Sequence, residues 1–104
     1  MRSKPTLERE VSRQFVIRAR QRGAITHKIS GMGRRGVWDM LIVGPGRRHC
    51  FVELKRVGGE LSVAQRRFGQ LLDDAKVPNY ILWGGATREG TASAIETFFD
   101  WYLS

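Results

Sequence analysis

One cysteine, Cys50, is the whole thiol inventory of this 104-residue chain, so no disulfide can form within it. Its place in an apolar stretch fits a packed core thiol rather than a reactive one. The two histidines, His27 and His49, lack paired spacing and cysteine companions, which argues against a zinc centre. No apolar run approaches the roughly 20 residues needed to cross a bilayer, so no membrane partner is expected. The start, Met1-Arg-Ser-Lys-Pro, has no apolar block after it, and the expectation is a protein that stays in the cytoplasm. Linkers, internal repeats and low-complexity segments are also missing. The expectation is one domain, residues 1–104, with a single modest core. A hydrophobic fraction of 41% and a charged fraction of 27% are ordinary for a globular chain.

Acidic residues are scarce as well, 10 against 18 Lys and Arg, and the imbalance is local. Residues 1–36 hold ten of the cations and only Glu8 and Glu10 as acids. The remaining 68 residues carry eight of each sign and are neutral. A basic third on a neutral body is the footprint of a polyanion partner, phosphate backbone first and an anionic membrane surface second. Arginine dominates lysine there, which suits bidentate contact with phosphate better than simple solubility.

Periodicity divides the chain into seven elements. Residues 7–22 read as a helix with Thr6 as N-cap, Leu7, Val11, Phe15 and Arg18 or Ala19 on one stripe, and Gly23 as its stop. Residues 24–30 read as a short strand, and 31–36 as a basic glycine-rich loop. Apolar strands follow over 37–43 and 49–56, joined by a Gly-Pro-Gly hairpin turn. Ser62-Val-Ala-Gln65 matches a capping box, and opens a helix with Phe68, Leu71, Leu72 and Ala75 on its apolar face. Residues 80–83 form another buried strand. A last helix over 92–103 carries Ile95, Phe98, Phe99, Trp101 and Tyr102, more aromatic surface than one face needs, an excess that fits either core or a subunit contact. The order αβββαβα predicts an α/β, or α+β, fold with helices against a mixed sheet.

The residues that carry chemistry are Asp39, at the entry of one strand, and Glu53 and Lys55 on the next. Alternation along a strand sends Glu53 and Lys55 to one face and Val52 and Leu54 to the other. Two carboxylates then converge with an ammonium. Carboxylate oxygens suit a hard cation such as Mg²⁺ or Mn²⁺, and the lysine can orient water or steady developing charge. An isolated Glu-x-Lys is as well explained by a surface ion pair. It is the conjunction with Asp39 in a basic protein that points to phosphodiester chemistry.

The run Glu8, Gly-Arg-Arg-Gly-Val-Trp-Asp39, Phe-Val-Glu-Leu-Lys55 and Gly-Glu-Leu-Ser-Val-Ala-Gln65 resembles the VRR-NUC family of the PD-(D/E)XK nuclease superfamily. The resemblance spans residues 8–83 and implies a restriction-endonuclease-like core. It implies Asp39, Glu53 and the Leu54 carbonyl as ligands of Mg²⁺ or Mn²⁺, and Glu8 completing the acidic cluster directly or through water. Lys55 becomes the catalytic lysine and Gln65 the glutamine of a Leu-Ser-x-x-Gln signature. Two of these have plainer explanations: an acid in a first helical turn suits the helix dipole, and position N3 of a capping box selects glutamine. Glu10 is the alternative acid on the first helix. Where the family has proline before its aspartate, this chain has Trp38, which suggests an altered approach to the metal or an aromatic set beside DNA.

Further expectations follow from the same resemblance. Compact single-domain members come mainly from bacteriophages, which places this chain in a bacterial host. They act as homodimers that resolve four-way (Holliday) junctions, without a small-molecule cofactor. Arg9, Arg13, Lys28, Arg34 and Arg35 are the candidate contacts to the DNA backbone. The alternatives are a flap or nicking nuclease without junction preference and a basic DNA-binding module whose acids only organise the fold. RNA binding is disfavoured because no strand shows the exposed aromatic motif that stacks bases.

Overall fold

A computed structural model describes residues 7–29 and 36–104, apart from the side chain of Arg47. The expected order αβββαβα is found: α1 (Glu8–Gln21), β1 (Ile25–Lys28), β2 (Met40–Val43), β3 (His49–Lys55), α2 (Val63–Asp74), β4 (Asn79–Trp83) and α3 (Arg88–Tyr102). The four strands form one mixed sheet in the order β1-β2-β3-β4. Neighbours β1/β2 and β2/β3 are antiparallel, the second pair closed by a 3-10 turn over Pro45–Arg47. A parallel β3/β4 pair needs a crossover, and α2 supplies it.

Strand alternation divides the sheet into two faces. Met40, Ile42, Cys50, Val52, Leu54 and Leu82 point to one side and are buried with Val11, Phe15 and Ala19 of α1 and Ile95, Phe98, Phe99 and Tyr102 of α3. This is the main core, so Cys50 is the packed thiol its sequence context suggests. Phe51 points to the opposite side, where it meets Phe68 of α2 edge-on with ring centroids 5.7 Å apart. Glu53 and Lys55, two and four residues further along β3, share that second face.

Several expected boundaries move for identifiable reasons. Helix α1 starts with Leu7 at the N-cap, half exposed and without a side-chain cap bond, so Leu7 is not part of the buried stripe. The expected Thr6 cap, the loop 31–36 and its Arg34 and Arg35 lie outside the described residues, in whole or in large part. Strand β2 begins at Met40 rather than residue 37, because Trp38 leaves the sheet plane to pack under α2. Helix α2 buries only Gly69 and Leu72, and Leu71 is exposed. Helix α3 starts four residues earlier than expected, since the Thr87 hydroxyl accepts from the Gly90 N–H and caps it. Its aromatic excess is largely core: Phe98, Phe99 and Tyr102 are buried, and Trp101 stacks beside Tyr80 at 5.4 Å. No helix among the described residues is long and apolar enough to cross a membrane.

Candidate active site

The ladder between β2 and β3 ends at Met40↔Val52. Beyond that point side chains take over the pairing. Asp39 Oδ2 accepts the Leu54 N–H at 3.2 Å, and Glu53 Oε1 accepts the Asp39 N–H at 3.0 Å. The two acids therefore replace the next rungs of the sheet, which fixes both carboxylates relative to the backbone. Glu53 is only 1% exposed, rare for a glutamate and tolerable because each of its oxygens has a donor.

The second donor to Glu53 comes from α2. Gln65 Nε2 donates to Glu53 Oε2 at 2.8 Å. The capping box sets that orientation: Ser62 Oγ accepts the Gln65 N–H at 3.1 Å, and Gln65 Oε1 accepts the Ser62 N–H at 2.9 Å. With its oxygen committed to the helix cap, the amide has only its nitrogen to offer Glu53. The helix-capping and site explanations of Gln65 are thus one arrangement.

Lys55 Nζ lies 3.5 Å from Glu53 Oε2 and 3.8 Å from Glu8 Oε1, so one ammonium spans β3 and the first turn of α1. Carboxylate oxygens of Glu8, Asp39 and Glu53 lie within 4.8 Å of one another. An open pocket of about 400 Å³ surrounds them, with Arg9, Ser12 and Lys28 also on its wall. Glu10 is turned away: it pairs with Arg13 at 3.8 Å, and both line a separate groove between α1 and α3. So the structure gathers Glu8, Arg9, Lys28, Asp39, Glu53, Lys55 and Gln65, and leaves Arg13 outside. Ser12 went unnoticed in the sequence, although it sits one helical turn from Glu8 and so on the same face.

Trp38 is the other correction. It is 1% exposed and cannot flank DNA. Its Nε1 donates to the Gln65 carbonyl at 2.9 Å, and its ring lies against Phe68 and Gly69. A Cβ on Gly69 would fall 2.7 Å from the ring carbon Cζ2, so glycine there makes room for the indole. The residue before Asp39 is therefore bolted to the backbone of the residue that holds Glu53.

Burial pushes the Glu53 carboxyl up to about 7, with the Asp39 charge adding to the rise, while the Asp39 N–H and Lys55 oppose it. A carboxyl raised in the folded state above its ordinary 4.5 costs the fold stability once ionised: nothing well below 4.5, more as pH rises, and the full amount above about 7. That amount is at most about 3 kcal/mol. Metal-free protein in EDTA should therefore lose melting temperature between pH 5 and pH 8 relative to Glu53→Gln, which has no charge to bury. Parallel melting profiles for the two proteins would contradict this assignment.

The chemistry of the donor set fits a hard divalent cation: three carboxylates around one open pocket, with no sulfur or imidazole. No family model matches the chain, and no curated protein matches it. It is similar to a solved structure named a VRR_NUC domain, with 20% sequence identity, a TM-score of 0.76, and coverage of 91% of this chain and 96% of that one. The likeness is one of fold, which in this chain is an α+β arrangement of three helices with a mixed four-stranded sheet.

Proposed function

We propose, from the VRR_NUC fold and the acidic pocket it carries, that this chain is a divalent-metal-dependent, structure-selective DNA endonuclease. The observation that carries the reading is the convergence of Glu8, Asp39 and Glu53 within 4.8 Å, bridged by Lys55, in a protein of net charge +8. A purely architectural role accounts for it less well, because three clustered acids share the single ammonium of Lys55 and burying one of them costs stability.

Asp39, Glu53 and Glu8, with the Leu54 carbonyl, are the groups that would hold Mg²⁺ or Mn²⁺. When bound, the ion supplies charge for the phosphorane-like transition state and lowers the pKa of coordinated water. The chain's own residues do the rest. Lys55 holds the attacking water in line with the scissile bond, and Gln65 keeps Glu53 facing the pocket. Water adds to phosphorus as the bond to the 3′ oxygen breaks, leaving a 5′ phosphate and a 3′ hydroxyl. Arg9 and Lys28 on the pocket wall, together with Arg34 and Arg35, contact the flanking backbone and carry no base information.

The finer reading is a homodimer that resolves four-way junctions, since a twofold pair of sites faces the two strands such a substrate presents. Purified protein with Mn²⁺ is incubated with a four-way junction, a 5′ flap and a linear duplex, beside Glu53→Ala, and its mass in solution is measured. Junction cleavage by a dimer, lost in Glu53→Ala, is the expected result. Flap cleavage by a monomer replaces the resolvase reading with a flap nuclease. Tight DNA binding without any cleavage leaves a non-catalytic binding module.

A further inference from the structure

We propose that the indole of Trp83 is a stacking platform for an unpaired nucleobase next to the scissile phosphate. This rests on the nuclease reading for its role in cleavage, but the binding it describes can be tested without any cutting.

The placement follows from the sheet. In the parallel β3/β4 pair Lys55 lies opposite Trp83, as Leu54 lies opposite Leu82. Registered partners point to the same face. Leu54 and Leu82 are each 1% exposed in the main core, so Lys55 and Trp83 both project to the other side. Adjacent strands are about 4.8 Å apart, against a rise of roughly 3.4 Å per stacked nucleotide, so a base one or two steps from a phosphate held at Lys55 reaches Trp83.

Strand β4 is, among the described residues, an edge strand of the sheet, and Trp83 on it is 41% exposed. Among the described residues no aromatic ring and no hydrogen-bond acceptor engages it. Trp101 differs. It is 51% exposed, yet its ring already lies beside Tyr80 and Phe98 at 5.4 and 5.9 Å. A partly exposed indole beside a pocket whose wall also carries Arg9, Lys28 and Lys55 is an arrangement that suits single-stranded nucleic acid, with phosphate drawn to the cations and a base to the ring.

The same geometry selects a substrate. Inside a continuous duplex both faces of every base are covered by neighbours, so Trp83 has no face to stack on. At a flap, gap, frayed end or strained branch one base is free. Trp83 thus favours cutting beside unpaired nucleotides, a source of structure selectivity that requires no sequence reading.

The test is the affinity of a labelled oligothymidylate and of a blunt duplex of equal length, measured in EDTA by fluorescence anisotropy for the unaltered protein, Trp83→Ala and Trp83→Phe. Loss of one stacked base weakens oligothymidylate binding roughly tenfold in Trp83→Ala. The expected loss is distinctly smaller for the duplex, and Trp83→Phe recovers most of the affinity. A second measurement covers the case in which Trp83→Ala folds poorly. In Trp101→Phe protein excited selectively at tryptophan, only Trp38, which is buried, and Trp83 emit, and oligothymidylate should quench the emission. Equal losses on both ligands, no loss, or no quenching overturns the proposal. Quenching by a protein that never cuts DNA would instead preserve this site and remove the nuclease reading.

Discussion

On the proposed nuclease reading Glu53→Ala should abolish Mn²⁺-dependent cleavage, with kcat/KM falling by at least about a thousandfold, because the residue would serve both ligand and scaffold roles. Its two oxygens receive the Asp39 N–H and the Gln65 amide, and Lys55 lies 3.5 Å from one of them. Removing the carboxylate frees all three partners at once, so the variant should lose a proposed metal ligand and also the alignment of Asp39 and Lys55. The loss appears in binding as well as in turnover. Mn²⁺ that raises the melting temperature of the unaltered protein should leave Glu53→Ala nearly unmoved, since ligand stabilisation scales with affinity for the folded state. Lys55→Met separates the roles: it lowers kcat while metal still raises the melting temperature. Glu53→Ala protein that retains both the metal-induced shift and cleavage would place the site elsewhere.

The second large effect is at Trp38, which touches no substrate. Truncation to alanine empties an indole-sized space beneath α2 and breaks the bond from Nε1 to the Gln65 carbonyl, a combination expected to cost about 3–5 kcal/mol in stability. Because Trp38 adjoins Asp39 and its partner Gln65 holds Glu53, Mn²⁺ affinity falls too, by about tenfold. Gly69→Ala approaches the same joint from the helix side. Its new methyl would sit 2.7 Å from the Trp38 ring, so ring or helix must shift, and metal affinity drops although Gly69 is no ligand. In a double-mutant cycle the two losses are strongly non-additive, since both act through one contact. Additive effects, or metal affinity unchanged in both variants, would reduce Trp38 to ordinary core packing. Calorimetric titration with Mn²⁺ alongside thermal melts gives both quantities.

Trp38, which stands where the family that the sequence resembles has proline, is accommodated by a glycine 31 residues later. Proline restricts the backbone before the aspartate by its own ring. Tryptophan restricts it from outside, by docking on α2, and so ties Asp39 and Gln65 to one rigid contact. Neither position announces this in the sequence. Gly69 reads there as a weak point in a helix rather than as a socket.

Other features were legible because their causes are local. Strand alternation alone puts Glu53 and Lys55 on one face and Val52 and Leu54 on the other, and the structure agrees. The capping box at Ser62–Gln65 is written in four consecutive residues, and both of its hydrogen bonds form. The Thr87 cap and the first turn of α3 were not legible, since Gly90 within that turn is a poor helix former, whereas in the fold Gly85 packs tightly on Gly90, where a Cβ would meet backbone at 2.6 Å.

What the sequence determined by itself is the order of elements, the face of β3 that carries the acid and the lysine, and the basic surroundings that suit a phosphate backbone, all consequences of residue type and periodicity. Only the tertiary structure decided that Glu8 rather than Glu10 joins Asp39 and Glu53, that Gln65 reaches Glu53, that Trp38 is buried and that Trp83 is the tryptophan left open beside Lys55. The reason is physical: each of these depends on which strand or helix lies alongside another, and pairing between distant segments is set by how the whole core closes rather than by any local run of residues.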